Sequence, residues 1–192
     1  MRRDFIIVVG EQGFGKSVWT KLYTRSHTRL FVYDPKAEYP DVDYQSPPDD
    51  WLVDVMDGRI KQFRYGSCFP SEIPMFGNAA YATGNCTLAI EECALIFPRN
   101  ARLDEWATPL IFMGRERVVN LVLTAQRATK IPIDIRSQAS RIVTFRQTEP
   151  DDVAALAERI GRETESQIIS LPELTCLDWE GGRTRTYSIK PA

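Results

Sequence analysis

One stretch constrains this chain more than any other: Asp4 to Thr20, D-F-I-I-V-V-G-E-Q-G-F-G-K-S-V-W-T. Phe5, Ile6, Ile7, Val8 and Val9 form a short apolar, β-prone run. It leads directly into Gly10-Glu11-Gln12-Gly13-Phe14-Gly15-Lys16-Ser17, which fits G-x-x-x-x-G-K-[ST]. Val18, Leu22 and Tyr23 then recur at helical spacing. Strand, glycine loop and helix in this order make a phosphate-binding loop. Glycines let the backbone curl so that successive N–H groups aim at phosphate oxygens. The start of the following helix adds the positive end of its dipole. Lys16 can reach the β- and γ-phosphates, and the Ser17 hydroxyl can complete a Mg²⁺ shell. The nucleotide-binding candidates are therefore Gly10, Glu11, Gln12, Gly13, Phe14, Gly15, Lys16, Ser17 and Val18. A chance Gly-rich turn with a solvated lysine does not account for the strand and helix on either side.

A second chemical signal lies downstream. Cys86 to Ile90 (C-T-L-A-I) is an apolar strand ending in Glu91-Glu92. In such a Walker B pattern the first carboxylate holds Mg²⁺ and the second polarises the attacking water. Glu91 stands where Asp is commoner, so its side chain is one methylene longer. Ordinary charges at an exposed strand end are the alternative. A third signal is Val118 to Thr124 (V-V-N-L-V-L-T), the most buried-looking strand of the chain, which ends in Ala125-Gln126-Arg127. An amide at such a tip can bond both a γ-phosphate and a water.

The rest of the chain reads as follows. The first helix spans about Lys16 to Ser26, and Arg29 to Tyr33 is a second strand. Pro35 stops that strand and places Asp34 at its carboxyl end, where α/β folds keep their ligands; a solvated turn is the simpler reading of Asp34 and Lys36. Asp41 to Asp50, with Pro47 and Pro48, is a loop, and Trp51 to Met56 a short helix. Arg59 to Tyr65 alternates as a strand, with Ile60 and Phe63 the burial candidates. Gly66 to Gly84, rich in Gly, Pro and aromatics, admits a short helix but also a loop facing a partner or a pore. Cys93 to Phe97 continues apolar, followed by a turn at Pro98-Arg99-Asn100. A helix over Asp104 to Met113, a short helix after Pro132 and a strand over Arg141 to Arg146 come next. Pro and acids at Glu149-Pro150-Asp151-Asp152 start another helix, ended by Gly161, whose simplest role is packing. Ile168 to Pro172 admits a further helical turn. Thr175 to Trp179, Gly181-Gly182 and Thr184 to Ile189 form a terminal hairpin.

Taken together, the phosphate loop, the acid pair and V-N-L-V-L-T-A-Q-R resemble the FtsK–HerA superfamily of DNA-pumping ATPases. The most specific part is G-R-E-R-V-V-N-L-V-L-T-A-Q-R-A-T-K-I-P-I-D-I-R-S-Q-A-S (Gly114 to Ser140), followed by R-I-V-T-F-R. D-P-K-A-E-Y at Asp34 to Tyr39 looks like that superfamily's motif after the second strand. With 192 residues there is no room for the membrane anchor or winged helix of larger members. A near-bare motor of this size looks most like the genome-packaging ATPases of membrane-containing icosahedral viruses.

The resemblance implies an α/β P-loop NTPase fold of RecA/FtsK-like type. That is one domain over residues 1–192, with a mostly parallel central sheet, helices on both faces and a C-terminal β-hairpin. It implies ATP and Mg²⁺ as ligands, Lys16 and Ser17 as the Walker A pair, Glu91 and Glu92 as the Walker B pair, and Gln126 as the polar sensor. Arg115 or Arg117 would be the arginine inserted into a neighbouring subunit's site, Arg115 the better placed; a solvated charge at a helix end is the alternative. The implied partners are double-stranded DNA, further copies of the chain in a ring (a hexamer), and capsid or viral membrane components. The candidate DNA-gripping segments are Gly66 to Asn85 and the basic turn around Arg99 and Arg102.

Composition narrows the alternatives. Net charge is −2 and the pI about 5.6, so DNA contact must come from local patches or from an assembled ring. Cys68, Cys86, Cys93 and Cys176 are scattered without a C-x-x-C pair and, with the single His27, make no zinc site. They fit a reducing, cytoplasmic setting (the host's cytoplasm for a viral protein), and Cys93 reads as a core residue. No apolar stretch is long enough to span a bilayer, and the run after Met1-Arg2-Arg3 is too short for a signal peptide. An ATPase of phage assembly, secretion or conjugation, and a non-catalytic nucleotide-binding module, remain as rival readings. A GTP-binding switch would need N-K-x-D, which is absent.

Overall fold

The computed structural model describes residues 3–45, 50–98 and 102–190. The apolar runs become β1 (Phe5–Val9), β2 (Arg29–Tyr33), β3 (Phe63–Ser67), β4 (Cys86–Ile90), β5 (Val119–Ala125) and β6 (Arg141–Thr144). The terminal hairpin is β7 (Thr175–Glu180) and β8 (Arg183–Ser188). All eight join one sheet in the order β3-β2-β4-β5-β1-β6-β7-β8. The pairings from β3 through β6 are parallel, and β7 and β8 add antiparallel. β1 and β4 are buried at every position, as a sheet covered on both faces requires. The edge strand β8 is instead polar and mostly exposed, which blunts it against pairing with another chain.

The two faces are covered unequally. Side chains of β1 alternate: Phe5, Ile7 and Val9 point to one layer, Ile6 and Val8 to the other. The first layer takes the apolar stripes of α2 (Trp51–Met56), α3 (Ile73–Thr83), α4 (Ala107–Met113), α5 (Ile133–Gln138), α6 (Pro150–Ile160) and α7 (Glu165–Ser170). The second holds α1 (Lys16–Thr24), through Trp19, with Tyr39, Val42 and Ile189.

Most expected elements are present, with shifted ends. α1 stops two residues earlier than expected, and the strand expected over Arg59 to Tyr65 forms at Phe63–Ser67, with Ile60 only partly buried. α4 begins at Ala107, and its Phe112 is 47% exposed rather than packed. Cys93 to Phe97 does not extend β4 but turns through a 3₁₀ segment at Cys93–Leu95; Cys93 itself is fully buried. The final helix, α7, starts earlier than the turn expected at Ile168. Gly66 to Gly84 takes the helical of its two readings. Most of it is the eleven-residue helix α3, which buries Ile73, Phe76, Ala79 and Ala80, so it is not a free loop. Arg99 of the expected basic turn, Asn100, and Pro47-Pro48 lie outside the described residues; Arg102 is exposed.

Strand order is what builds the site. β5 lies between β1 and β4, in register at Val9↔Ala125 and Ile90↔Leu123. Parallel strands bring their carboxyl ends to one edge. Gly10, Glu91 and Gln126 therefore emerge side by side, with about 5 Å between neighbouring strands.

Candidate functional site

The loop after β1 is held from behind. Phe145 N–H donates to Val9 O (2.8 Å) and Glu11 N–H to Arg146 O (3.0 Å). A Cβ on Gly10 would sit 2.5 Å from Phe145 Cβ, so only glycine lets the two backbones approach this closely. Gly15, at the head of α1, has φ 116°. The first bond of α1 is Trp19 N–H to Gly15 O (2.8 Å), so the N–H groups of Lys16, Ser17 and Val18 come before it and have no helical acceptor. The side chains of Glu11 and Phe14 prop the loop from outside. Glu11 accepts from Arg146 (3.0 and 3.1 Å) and Thr148 (2.5 Å), and Arg146 covers the Phe14 ring at 4.1 Å. The Thr148 hydrogen bond, helped by Arg146 and opposed by burial, holds the Glu11 carboxyl below its usual range. Val18 also rests against apolar neighbours. Lys16 Nζ folds onto Gly10 O (2.7 Å) and Glu11 O (3.0 Å). Burial lowers its pKa, against the attraction of Glu92 and Glu91.

The two acids face this loop in different ways. Glu91 is 5% exposed. Its carboxylate accepts from three hydroxyls: Thr124 (2.8 Å), Tyr39 (2.8 Å) and Ser17 (3.2 Å). Burial nevertheless pushes its pKa up, because the hydrogen bonds offset only part of the lost hydration. Glu92 is half-buried in the left-handed region (φ 48°), pinned by its N–H on Thr124 Oγ1 (3.0 Å). Strained backbone of this kind persists where the surroundings over-determine it. Gln126 Nε2 reaches Glu92 Oε1 at 3.3 Å. Glu92 and Gln126, with Gln12, Gly13, Lys16, Ser17, Lys36 and Leu174, line a cleft of about 500 Å³, which Glu91 meets through its bond with Ser17. Ser17 Oγ and Glu91 are hard oxygen donors of the kind Mg²⁺ takes. Among the described residues there is no cluster of three His, Cys, Asp or Glu able to cage a metal alone. That donor set suits an ion that draws most of its shell from phosphate and water.

Several supporting residues carried no sequence motif that singled them out. Thr124 links both acids through one hydroxyl. Tyr39, 3% exposed, was visible only as the last letter of D-P-K-A-E-Y. Asp34 is not solvated, as the simpler reading had it, but 3% exposed. Its carboxylate takes Lys36 N–H (3.0 Å), Glu38 N–H (2.6 Å) and the Tyr44 hydroxyl (3.1 Å). α6 does more than pack. Its Asp152, 0% exposed, accepts from Arg127 Nε (2.7 Å), Thr129 N–H (2.8 Å) and Thr129 Oγ1 (2.7 Å), and so fixes the loop that follows Gln126. Gln147 bonds Gln126 O at 2.8 Å. Leu174, ahead of the hairpin, donates its N–H to Phe14 O (3.1 Å) and lines the cleft.

Arg115 and Arg117 are not brought to this cleft. Both are exposed and precede β5, at the opposite end of the strand whose tip carries Gln126. Seven residues of strand put that end about 20 Å away. Arg117 lies over the Tyr81 ring at 5.6 Å.

No protein-family model matches this sequence, and no curated protein matches it by sequence. Solved structures do match the fold. The genome-packaging NTPase B204 of Sulfolobus turreted icosahedral virus 2, in complex with ATP-gammaS, superposes with a TM-score of 0.80 at 18% identity, over 98% of this chain and 97% of that one. The DNA-packaging ATPase B204 of Sulfolobus turreted icosahedral virus gives 0.70 at 17% over 100% of both chains. The conjugation coupling protein TcpA of pCW3 gives 0.57 at 16%, over 97% of this chain and 60% of that one. The chain has the α/β P-loop NTPase fold of these proteins, with a mostly parallel sheet and an antiparallel C-terminal hairpin.

Proposed function

We propose that this chain hydrolyses ATP and uses the energy to move double-stranded DNA, as one subunit of a homo-oligomeric ring that packages a viral genome. One observation carries the reading. The phosphate loop, Glu92 and Gln126 meet at one cleft, with Glu91 bonded to Ser17 beside it, while Arg115 and Arg117 stand at the far end of β5. Among the described residues no arginine lines this cleft, and only a second copy can bring these two there to stabilise charge in the transition state.

Each residue then has a definite task. The N–H groups from Gly13 to Val18 cradle the phosphates, and Lys16 exchanges Gly10 O and Glu11 O for phosphate oxygens. Ser17 and Glu91 would hold Mg²⁺, which neutralises charge on the β- and γ-oxygens when bound. Glu92 accepts the proton of the attacking water, and Gln126, bonded to Glu92, orients that water. The ring would be a hexamer, as the resemblance implies, gripping DNA through phosphate contacts without reading its sequence. Arg102 and the segment around Phe69, which is 64% exposed, are the candidate contacts. The host cytoplasm is the proposed site of action, with capsid or viral membrane components as docking partners. Among the described residues no helix is long and apolar enough to cross a membrane.

A conjugation-type role has the likeness to TcpA in its favour, but the packaging NTPases superpose better and match this chain end to end. The test is ATPase activity with and without double-stranded DNA, alongside the mass in solution. DNA-stimulated turnover by an oligomer is the expected result. Turnover by a monomer that ignores DNA would refute the motor.

A further inference from the structure

The turn after β2, D-P-K-A-E-Y, commits almost every residue it has. Asp34 is buried and spends its carboxylate on Lys36 N–H, Glu38 N–H and the Tyr44 hydroxyl. Its own N–H is held by Ser67 O at 2.9 Å. Ala37 closes the turn at φ 52°, with its N–H on Asp34 O (3.2 Å). Glu38 pairs with Lys21 (3.2 Å), and Tyr39 bonds Glu91. β2 pairs with β4 at Tyr33↔Ile90, so the whole turn lies beside Glu91 and Glu92. The one long side chain without an assigned task is Lys36.

Its backbone is fixed by a buried carboxylate, and its side chain lines the same cleft as Lys16, Ser17, Glu92 and Gln126. No ion pair among the described residues engages its ammonium. It lies near enough to Lys16 for its charge to lower that lysine's pKa, as a smaller effect beside burial and the nearby acids. Two ammonium groups converging on one cleft repel unless an anion lies between them. A rigid frame that holds an exposed lysine at the mouth of this cleft matches a ligand with negative charge beyond what Lys16 alone neutralises.

We propose that Lys36 is a second cationic contact to the terminal phosphate, supplied by the same chain as Lys16, through which the site distinguishes a nucleoside triphosphate from a diphosphate. This rests on the nucleotide-binding reading above. The test titrates the wild-type protein, Lys36→Met and Lys36→Arg with ATPγS and with ADP in the presence of Mg²⁺. The expected result is a loss of about tenfold in ATPγS affinity for Lys36→Met, from one charge-assisted contact, with ADP affinity changed less than about twofold. Lys36→Arg keeps the charge and recovers most of the loss. Equal losses for both nucleotides would overturn the proposal in favour of general electrostatic attraction. Unchanged affinities would overturn it in favour of a solvated side chain. Wild-type protein that binds neither nucleotide would overturn the nucleotide reading itself, and the proposal with it. Lys36 is exposed, so both variants should keep the wild-type circular dichroism and melting temperature.

Discussion

Replacing Asp152 with alanine links stability to catalysis in one experiment. Asp152 is in the first turn of α6, fully buried, and its carboxylate is what fixes the loop behind Gln126. The substitution leaves Thr129 N–H without its acceptor, at about 2 kcal/mol for a buried donor. It removes the charge-assisted bond from the Thr129 hydroxyl, about 1 kcal/mol, and a carboxylate at a helix N-terminus, about 0.5 kcal/mol. The Arg127 contact faces water and is left out of the sum. The total is about 3.5 kcal/mol, which for a chain of this length lowers the melting temperature by about 10 °C. The released loop no longer holds Gln126 against Glu92, so kcat falls while the affinity for ATPγS, set by the phosphate loop, stays within about twofold. Differential scanning calorimetry and a phosphate-release assay read the two effects. An unchanged melting temperature would refute the anchoring. A full drop in stability with wild-type kcat would refute the link from α6 to Gln126.

Two further outcomes follow from the same contacts. Glu92→Gln keeps the hydrogen bond from Gln126 but cannot take a proton, so turnover should fall at least a hundredfold with ATPγS binding retained; unchanged turnover would make the chain a binding module. Asp178→Asn should cost about 3 kcal/mol, because it leaves Arg141 without its buried carboxylate. Burial alone would raise the Asp178 carboxyl, but Arg141, Arg185 and Tyr187 outweigh it and hold it low. A depressed folded pKa means that this stabilisation is present above the ordinary carboxylate value near 4 and is lost as pH falls through the folded value. The wild type should therefore lose its advantage over Asp178→Asn in acid, measured as the gap in urea midpoint between pH 7 and pH 3; a constant gap would contradict the assignment.

What the sequence disclosed, and what it hid, follows from the range of the interactions. The phosphate loop, the β4 acids and the β5 tip could be read because each is a short run whose spacing and apolar character carry the information locally. The network around Glu91 could not: Tyr39 and Thr124 lie 52 and 33 residues away along the chain and meet it only through strand order. The same holds for Asp152 behind Gln126 and for Leu174 behind the loop. Helix α3 was masked by its glycines and prolines. Pro74 sits in its first turn, where the missing N–H costs nothing, and Gly84 ends it at φ 62°. Gly77 is mid-helix because a Cβ there would lie 2.2 Å from Trp106 Cε3, a packing demand that local propensity cannot show.

The central claim is that the cleft is completed by an arginine from a second copy. A mixing experiment tests it most directly, using Lys16→Ala, which spoils the phosphate loop, and a protein carrying both Arg115→Ala and Arg117→Ala. Each alone should be inactive. Mixed at equal amounts and allowed to exchange, about a quarter of the sites should join an intact loop from one protein to an intact arginine from the other. Turnover should then rise well above the sum of the separate preparations. A mixture no more active than its parts, from proteins shown to co-assemble, would contradict the shared site.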